Sequence, residues 1–395
     1  MKLQPAHVVI LAGVTAAMHV GKLPTALPVL RAALGLDLLE SGFLLSLVQF
    51  AGMALGLAVG LLADGFGLRR TMVSGLAILA LASALGAGAH SAAVMLVLRG
   101  LEGLGLLLTV LPAPSLIRSL VPVRQLSRSL GLWGIYMPTG TALALALGPW
   151  AVGALGWRAW WLALAALAAA LAFGVWLVVP DDRRAGKAAP TISNWPQRLH
   201  QTLSNGGPWL AAGCFAVYSG QWLAVVGFLP TIYADAGIAA GRAGLLTALV
   251  AGCNMLGNMA SGQMLHRGLR AQTLMFTGFA TMGVSSVLVY AGLGAWLGVP
   301  LAQLLCACIF SAVGVLIPGT LFAVAVRVAP SLTTVSTTVG WMQQWSSLGQ
   351  LGGPPLVAWL AAQRGDWHST WWFTVTCSLL GLGMAWVLCR RVAPG

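Results

Sequence analysis

Charge is what this chain has least of. Only 7% of its 395 residues are Asp, Glu, Lys or Arg, and eight are acidic, where a soluble globular domain carries about 25% charged residues. A chain that is 58% hydrophobic has too few polar groups to cover a water-exposed surface, which excludes the soluble class. Strict alternation of apolar and polar residues is also missing, and with it the transmembrane barrel. There is no His-x-x-x-His, no pair of neighbouring carboxylates and no glycine-rich phosphate loop. Neither a membrane-embedded hydrolase nor a self-contained ATP-driven pump is therefore expected, and no cofactor or metal. The six cysteines (Cys214, Cys253, Cys306, Cys308, Cys377 and Cys389) fit neither a disulfide framework nor a zinc site. They read as small packing residues in apolar helices.

What is present is a succession of apolar runs, each long enough for one helical crossing, for which about 20 residues suffice. The expected spans are 7–31, 38–63, 71–89, 92–117, 127–153 and 157–180, then 208–234, 241–266, 271–293, 297–327, 332–361 and 369–390. The fold class expected is an all-α polytopic membrane protein of twelve transmembrane helices. The first run contains His19 and Lys22 and lacks a small-residue cleavage site, so it reads as a retained span rather than a secretory signal.

The formal net charge of +13 suggests nucleic acid until the basic residues are placed. Lys2, Arg69, Arg70, Arg118, Arg124, Arg128, Arg183, Arg184, Lys187, Arg198, Arg267, Arg270, Arg327, Arg390 and Arg391 make 15 of the 21 Lys and Arg. All fall on one side if the termini and the even-numbered loops share it. Arg31, Arg158, Arg242 and Arg364 fall on the other, and Lys22 and Arg99 lie within spans. This is the positive-inside asymmetry. It predicts both termini in the cytoplasm of a bacterial-type inner membrane, and no nucleic-acid partner.

The one long polar stretch, 181–207, divides the chain into an expected six-helix half at 1–180 and another at 208–395. The halves repeat. Leu23-Pro24-Thr25 ends the first span and Leu229-Pro230-Thr231 the seventh; Ser41-Gly42 opens the second and Ala243-Gly244 the eighth. Gly148-Pro149 lies late in the fifth and Gly353-Pro354 late in the eleventh. Gly156-Trp157-Arg158-Ala159-Trp160-Trp161 precedes the sixth, and Asp366-Trp367-His368-Ser369-Thr370-Trp371-Trp372 the twelfth. Four pairs in one order indicate duplication, the plan of transporters that bind substrate near the midplane.

Between the second and third spans the chain reads Gly60-Leu61-Leu62-Ala63-Asp64-Gly65-Phe66-Gly67-Leu68-Arg69-Arg70, and the fourth contains Arg99-Gly100-Leu101-Glu102-Gly103-Leu104-Gly105. With these motifs the chain resembles the major facilitator superfamily, and the resemblance covers its whole length. It departs from the loop motif at Gly65, where a basic residue is usual, and at His266, which stands for the aspartate in the second half. The resemblance implies a fold of two six-helix halves, transport by alternating access, and a gating role for Asp64 with Arg69 and Arg70. More narrowly, Tyr136-Met137-Pro138-Thr139-Gly140, Gln221-Trp222-Leu223-Ala224 and Gly227-Phe228-Leu229-Pro230-Thr231 are similar to the cyanate-porter branch.

Ionisable groups within spans face a cavity or a partner. Away from helix ends there are four: His19, Lys22, Arg99 and Glu102. His19 and Lys22 are three apart and share a helix face, as do Arg99 and Glu102. An Arg99–Glu102 pair would leave Lys22 unmatched, a positive charge for an anionic substrate to meet. Arg99 can grip a carboxylate with two parallel hydrogen bonds. Glu102, the sole acidic group at membrane depth, is the first candidate for proton coupling. His19 is the second, because its unperturbed pKa is nearest neutrality. The other candidate substrate contacts are Tyr136, Tyr218, Gln221, Trp222, Asn254 and Gln344. Trp157, Trp160, Trp161, Trp367, Trp371 and Trp372, near span ends, are expected as interfacial anchors, whereas Trp222 and Trp341 fall deeper.

The leading reading is a secondary transporter, not an enzyme, for a small organic anion, with carboxylated and aromatic anions foremost, coupled to protons and complete within one chain. A multidrug exporter of cations would want more buried acids than Glu102 alone. A neutral or zwitterionic substrate remains an alternative, Glu102 taking an amine and Arg99 or Lys22 a carboxylate. A sensor on the same fold is disfavoured because the tails hold no signalling domain.

Overall fold

Proline marks three breaks in the helices of this protein. The computed structural model describes residues 4–57, 67–181, 195–290, 300–331 and 334–392. Within them three spans are broken in the same way. The fourth ends its first segment at Val110 (Ala92–Val110) and resumes as Ala113–Leu120. The fifth runs Val123–Gly134 and resumes at Tyr136. The tenth runs Pro300–Gly314 and resumes as Leu316–Val328. Each first segment stops four residues before a proline: Pro114, Pro138 and Pro318. That proline lacks the N–H the ladder needs, and its ring crowds the carbonyl four residues back. The first span (Pro5–Leu34) nonetheless stays helical through Pro24 and Pro28.

Ten helical stretches among the described residues are long and apolar enough to cross a membrane. One, Arg124–Val178, is 55 residues long. It is interrupted at Gly156 (φ 82°, ψ 160°), a conformation other residues reach only under strain. It therefore holds the fifth and sixth spans. The eleventh, Val335–Arg364, is 30 residues long, and Gln343, Gln344 and Gln350 lower its hydropathy. With these the described crossings number twelve. The remaining full-length helices are Leu38–Leu57, Leu68–Ala87, Gly206–Asp235, Ala240–His266, Ala271–Tyr290 and Thr370–Val392. A short helix, Trp195–Leu203, precedes the seventh span. Leu81, Val97, Trp150, Leu155 and Leu256 are all more than 60% exposed. In water such a surface would aggregate; lipid is its solvent.

Contacts group the chain into two units. The first comprises Met1–Asp37, Leu47–Ser193 and Tyr233–Ala248; the second comprises Leu38–Ser46, Asn194–Ile232 and Leu249–Gly395. The first residues of the second span thus group with the second unit and those of the eighth with the first. In the second unit Gly42 lies against Pro354 and Pro355, where a Cβ would come within 3.0 Å of both.

The first unit is built around the first span. Its centre is packed against the long fifth–sixth helix, and the third span joins both the fourth and the sixth. A Cβ on Gly21 would lie 2.6 Å from the carbonyl oxygen of Thr141, and one on Gly103 2.4 Å from that of Val48. These glycines immediately flank Lys22 and Glu102, and their missing side chains let the backbones that carry the two charges approach their neighbours.

Candidate functional site

The four ionisable residues singled out in the spans meet inside the first unit. His19 and Lys22 are 0% exposed, Arg99 and Glu102 2%. Glu102 sits between the others. Its Oε2 accepts from Arg99 Nη1 at 2.7 Å, its Oε1 accepts from Lys22 Nζ, and His19 Nδ1 lies 3.6 Å from that same oxygen. Arg99 Nη1 also donates to the His19 carbonyl at 2.6 Å, tying the fourth span to the first.

Lys22 is fully engaged. Besides Glu102 it donates to Ser83 Oγ of the third span at 2.8 Å and lies 3.3 Å from His19 Nδ1. It stands 4.6 Å from the centroid of the Trp161 ring, a contact worth about 2 kcal/mol when desolvated. Ser83 in turn donates to the Trp161 carbonyl at 2.9 Å. The expectation that Lys22 is left unmatched is therefore corrected. Spacing along one helix shows the Arg99–Glu102 pair, but the carboxylate has two oxygens, and the first span brings Lys22 to the second of them.

Two participants escaped the sequence reading. Ser83 carried no signal. Trp161 was expected at the membrane interface, yet it is 1% exposed, and Trp157 and Trp160 are 4% and 6% exposed. A span-end tryptophan on an inward face reads the same in sequence as one on an outward face. Trp372, 57% exposed, has the exposure expected of an anchor.

Tyr136 stands apart from the charged group. It begins the resumed fifth span and stacks on Trp133, ring centroids 4.2 Å apart. Arg69 donates to the Trp176 carbonyl and lies 4.7 Å from that ring, joining the third span to the sixth; Arg70 is exposed. Asp64 lies outside the described residues.

The second unit gathers uncharged polar groups. Asn254 Nδ2 donates to the Tyr218 hydroxyl at 3.2 Å and to the Ser311 carbonyl at 3.4 Å, and Trp222 Nε1 donates to Ser311 Oγ at 3.1 Å. Gln221 is 0% exposed. Its Oε1 accepts from Ser378 at 3.2 Å, and its Nε2 has no hydrogen-bond partner among the described residues. Gln344 is half-buried on the eleventh span, while the deeper-lying Trp341 packs edge-on with Trp209 and Trp345. Aligning the repeat through Leu23-Pro24-Thr25 and Leu229-Pro230-Thr231 sets Phe228 opposite Lys22. Phe228 is 0% exposed, so the matched position is buried in both halves, charged in the first and apolar in the second. Among the described residues no three His, Cys, Asp or Glu side chains gather closely enough to hold a metal ion.

The chain is thus an all-helical membrane protein of twelve spans, with a charged group in the first unit and neutral polar groups in the second. Residues 9–347 match the model of the Major Facilitator Superfamily, and the chain belongs to that family. Among solved structures it is similar to a bacterial homologue of the human lysosomal transporter Spinster, inward-facing and occupied (14% identity, TM-score 0.76, 98% of this chain and 96% of that one). It is also similar to a D-xylose–proton symporter (16% identity, TM-score 0.75, 98% and 97%). No curated protein matches it in sequence.

Proposed function

We propose that the protein moves a small organic anion across the membrane by alternating access, coupled to protons, as a single chain in a bacterial-type inner membrane with both termini cytoplasmic. The observation that supports this is the charge balance around Glu102. Two cations, Lys22 and Arg99, share one carboxylate. With a neutral imidazole the group holds one positive charge more than it neutralises. Protonating Glu102 removes the only counter-charge, and two buried cations are then costly unless an anion joins them. Proton and anion would therefore bind together, the requirement of a symporter. Arg99 offers the planar fork that suits a carboxylate. Asp64, Arg69 and Arg70 remain the gating candidates, and the cyanate-porter branch is the subgroup its short motifs favour.

A second reading, a neutral or zwitterionic solute, is favoured by the Tyr218, Trp222, Asn254 and Ser311 set, which can hydrogen-bond hydroxyls or amides without a charge partner. The deciding experiment is accumulation against exchange in proteoliposomes carrying Glu102→Gln. Intact exchange of a labelled anion with no proton-driven accumulation supports the coupling role. Normal accumulation removes Glu102 from it.

A further inference from the structure

We infer that Cys253 on the eighth span and Cys308 on the tenth form a dithiol that lipid hydroperoxides oxidise to a disulfide, a modification site outside the charged group. Both residues lie in the second unit, where their helices touch at several levels. A Cβ on Gly257 would fall on the Ala312 carbonyl oxygen, and one on Gly319 on Ser261 Oγ. Asn254 Nδ2 donates to the Ser311 carbonyl at 3.4 Å. Asn254 with Ser311, Gly257 with Ala312 and Ser261 with Gly319 rise together along the two helices. The helices therefore run parallel, and their backbones meet where glycine leaves room. Cys253 lies one turn before Gly257, and Cys308 one turn before Ala312. The two thiols thus stand at the same level, and they are hydrogen-bonded sulfur to sulfur. A disulfide needs Cα atoms about 4.4–6.8 Å apart, a separation that suits helices in backbone contact.

The surroundings of the pair select the oxidant. Both thiols are half-buried. Leu249 and Leu256, one turn to either side of Cys253, are exposed, as are Leu305 and Ile309 beside Cys308. An exposed apolar face on a membrane span meets lipid, so a hydroperoxide carried on an acyl chain reaches the pair from that side. The sulfur that accepts the hydrogen bond has its thiolate form favoured by it. That sulfur attacks the hydroperoxide: an S–O bond forms, the O–O bond breaks, and the alkoxide takes the thiol's proton and leaves as an alcohol. The second sulfur then attacks the sulfenic acid. An S–S bond forms, the S–O bond breaks, and hydroxide leaves as water with the second thiol's proton. Two thiols and one hydroperoxide give one disulfide, one alcohol and one water. The new bond lies beside Asn254 and one turn before Ser311, which hold Tyr218 and Trp222, so it pins two helices of the neutral polar set.

The test treats the full chain in nanodiscs with cumene hydroperoxide, an apolar hydroperoxide, then digests it without reductant and maps the peptides by mass spectrometry. The expected product is a peptide pair joined through Cys253 and Cys308, lighter than its separate parts by the hydrogens lost and parted again by dithiothreitol. Cys253→Ser and Cys308→Ser are each expected to lose that pair, whereas Cys306→Ser keeps it. The wild-type map needs no substitution, so it decides the matter even where a serine variant fails to fold. Wild-type protein in which both thiols stay free would overturn the inference. So would Cys253 or Cys308 found as sulfenic or sulfinic acid without the link, or joined instead to another cysteine. Faster linking by hydrogen peroxide, delivered from water, than by cumene hydroperoxide would overturn the approach from lipid.

Discussion

Lys22 on the first span and Glu102 on the fourth are hydrogen-bonded to each other across 80 residues of sequence, both essentially sealed from solvent. The pair is a strut as well as a site. It joins two helices at a depth where neither residue could stand alone, and it places Lys22 over Trp161 and against Ser83.

Removing the carboxylate should therefore destabilise more than removing it together with one cation. Glu102→Gln leaves Lys22 and Arg99 as two buried cations without their shared counter-charge, a loss of about 3–5 kcal/mol. Lys22→Met with Glu102→Gln should recover part of that. Thermal unfolding in detergent checks it, and additive losses in the double variant would show that the two residues act independently.

Gly103, beside Glu102, should tolerate no side chain. Gly103→Val sets a Cβ against the Val48 carbonyl and should lower the unfolding midpoint sharply. Gly100→Ala, one turn away with nothing within 4 Å of the new Cβ, should leave it unchanged or raise it slightly. Equal effects at both sites would contradict the close approach of the second and fourth spans.

Arg99→Ala should abolish binding of an anionic substrate, and Arg99→Lys should fail to restore it. Nη1 bonds the His19 carbonyl and Glu102 together, a fixed geometry that an ammonium on a flexible stem does not reproduce. Equilibrium binding of a labelled anion to purified protein measures this.

Asn254→Ala should act differently. It removes hydrogen bonds to Tyr218 and Ser311 without changing charge. Apparent affinity should fall by up to about tenfold, the worth of one hydrogen bond, while each transported substrate still moves its proton. Concentration dependence and proton movement recorded together separate the two.

The helices were legible because the bilayer demands long apolar runs, but the breaks before Pro114, Pro138 and Pro318 were not expected. The spans 92–117, 127–153 and 297–327 were read as continuous, since Pro24 and Pro28 show that a proline in an apolar run need not end its helix. All four members of the charged group were also legible, since ionisable residues stand out in so apolar a chain. Their connectivity was not. Spacing of three shows that Arg99 can reach Glu102 along one helix, but it cannot show that Lys22 reaches the other oxygen from another helix. Ser83 is one small polar residue among many. Trp161 reads as an interfacial anchor until its helix face is known. The neutral group of Tyr218, Trp222 and Asn254 was named residue by residue, whereas Ser311, which accepts from Trp222 and Asn254, and Ser378, which donates to Gln221, gave no signal in helices tolerant of serine.

The central claim, that protons and a small organic anion move together, is tested most directly by sealing the protein in proteoliposomes with an internal pH dye. The vesicles are then challenged with a panel of small organic anions, cations and neutral solutes. An internal pH fall elicited by particular anions, missing in empty vesicles and in Glu102→Gln, is the result predicted. Proton efflux answering only to lipophilic cations would contradict the account and make the protein an exporter.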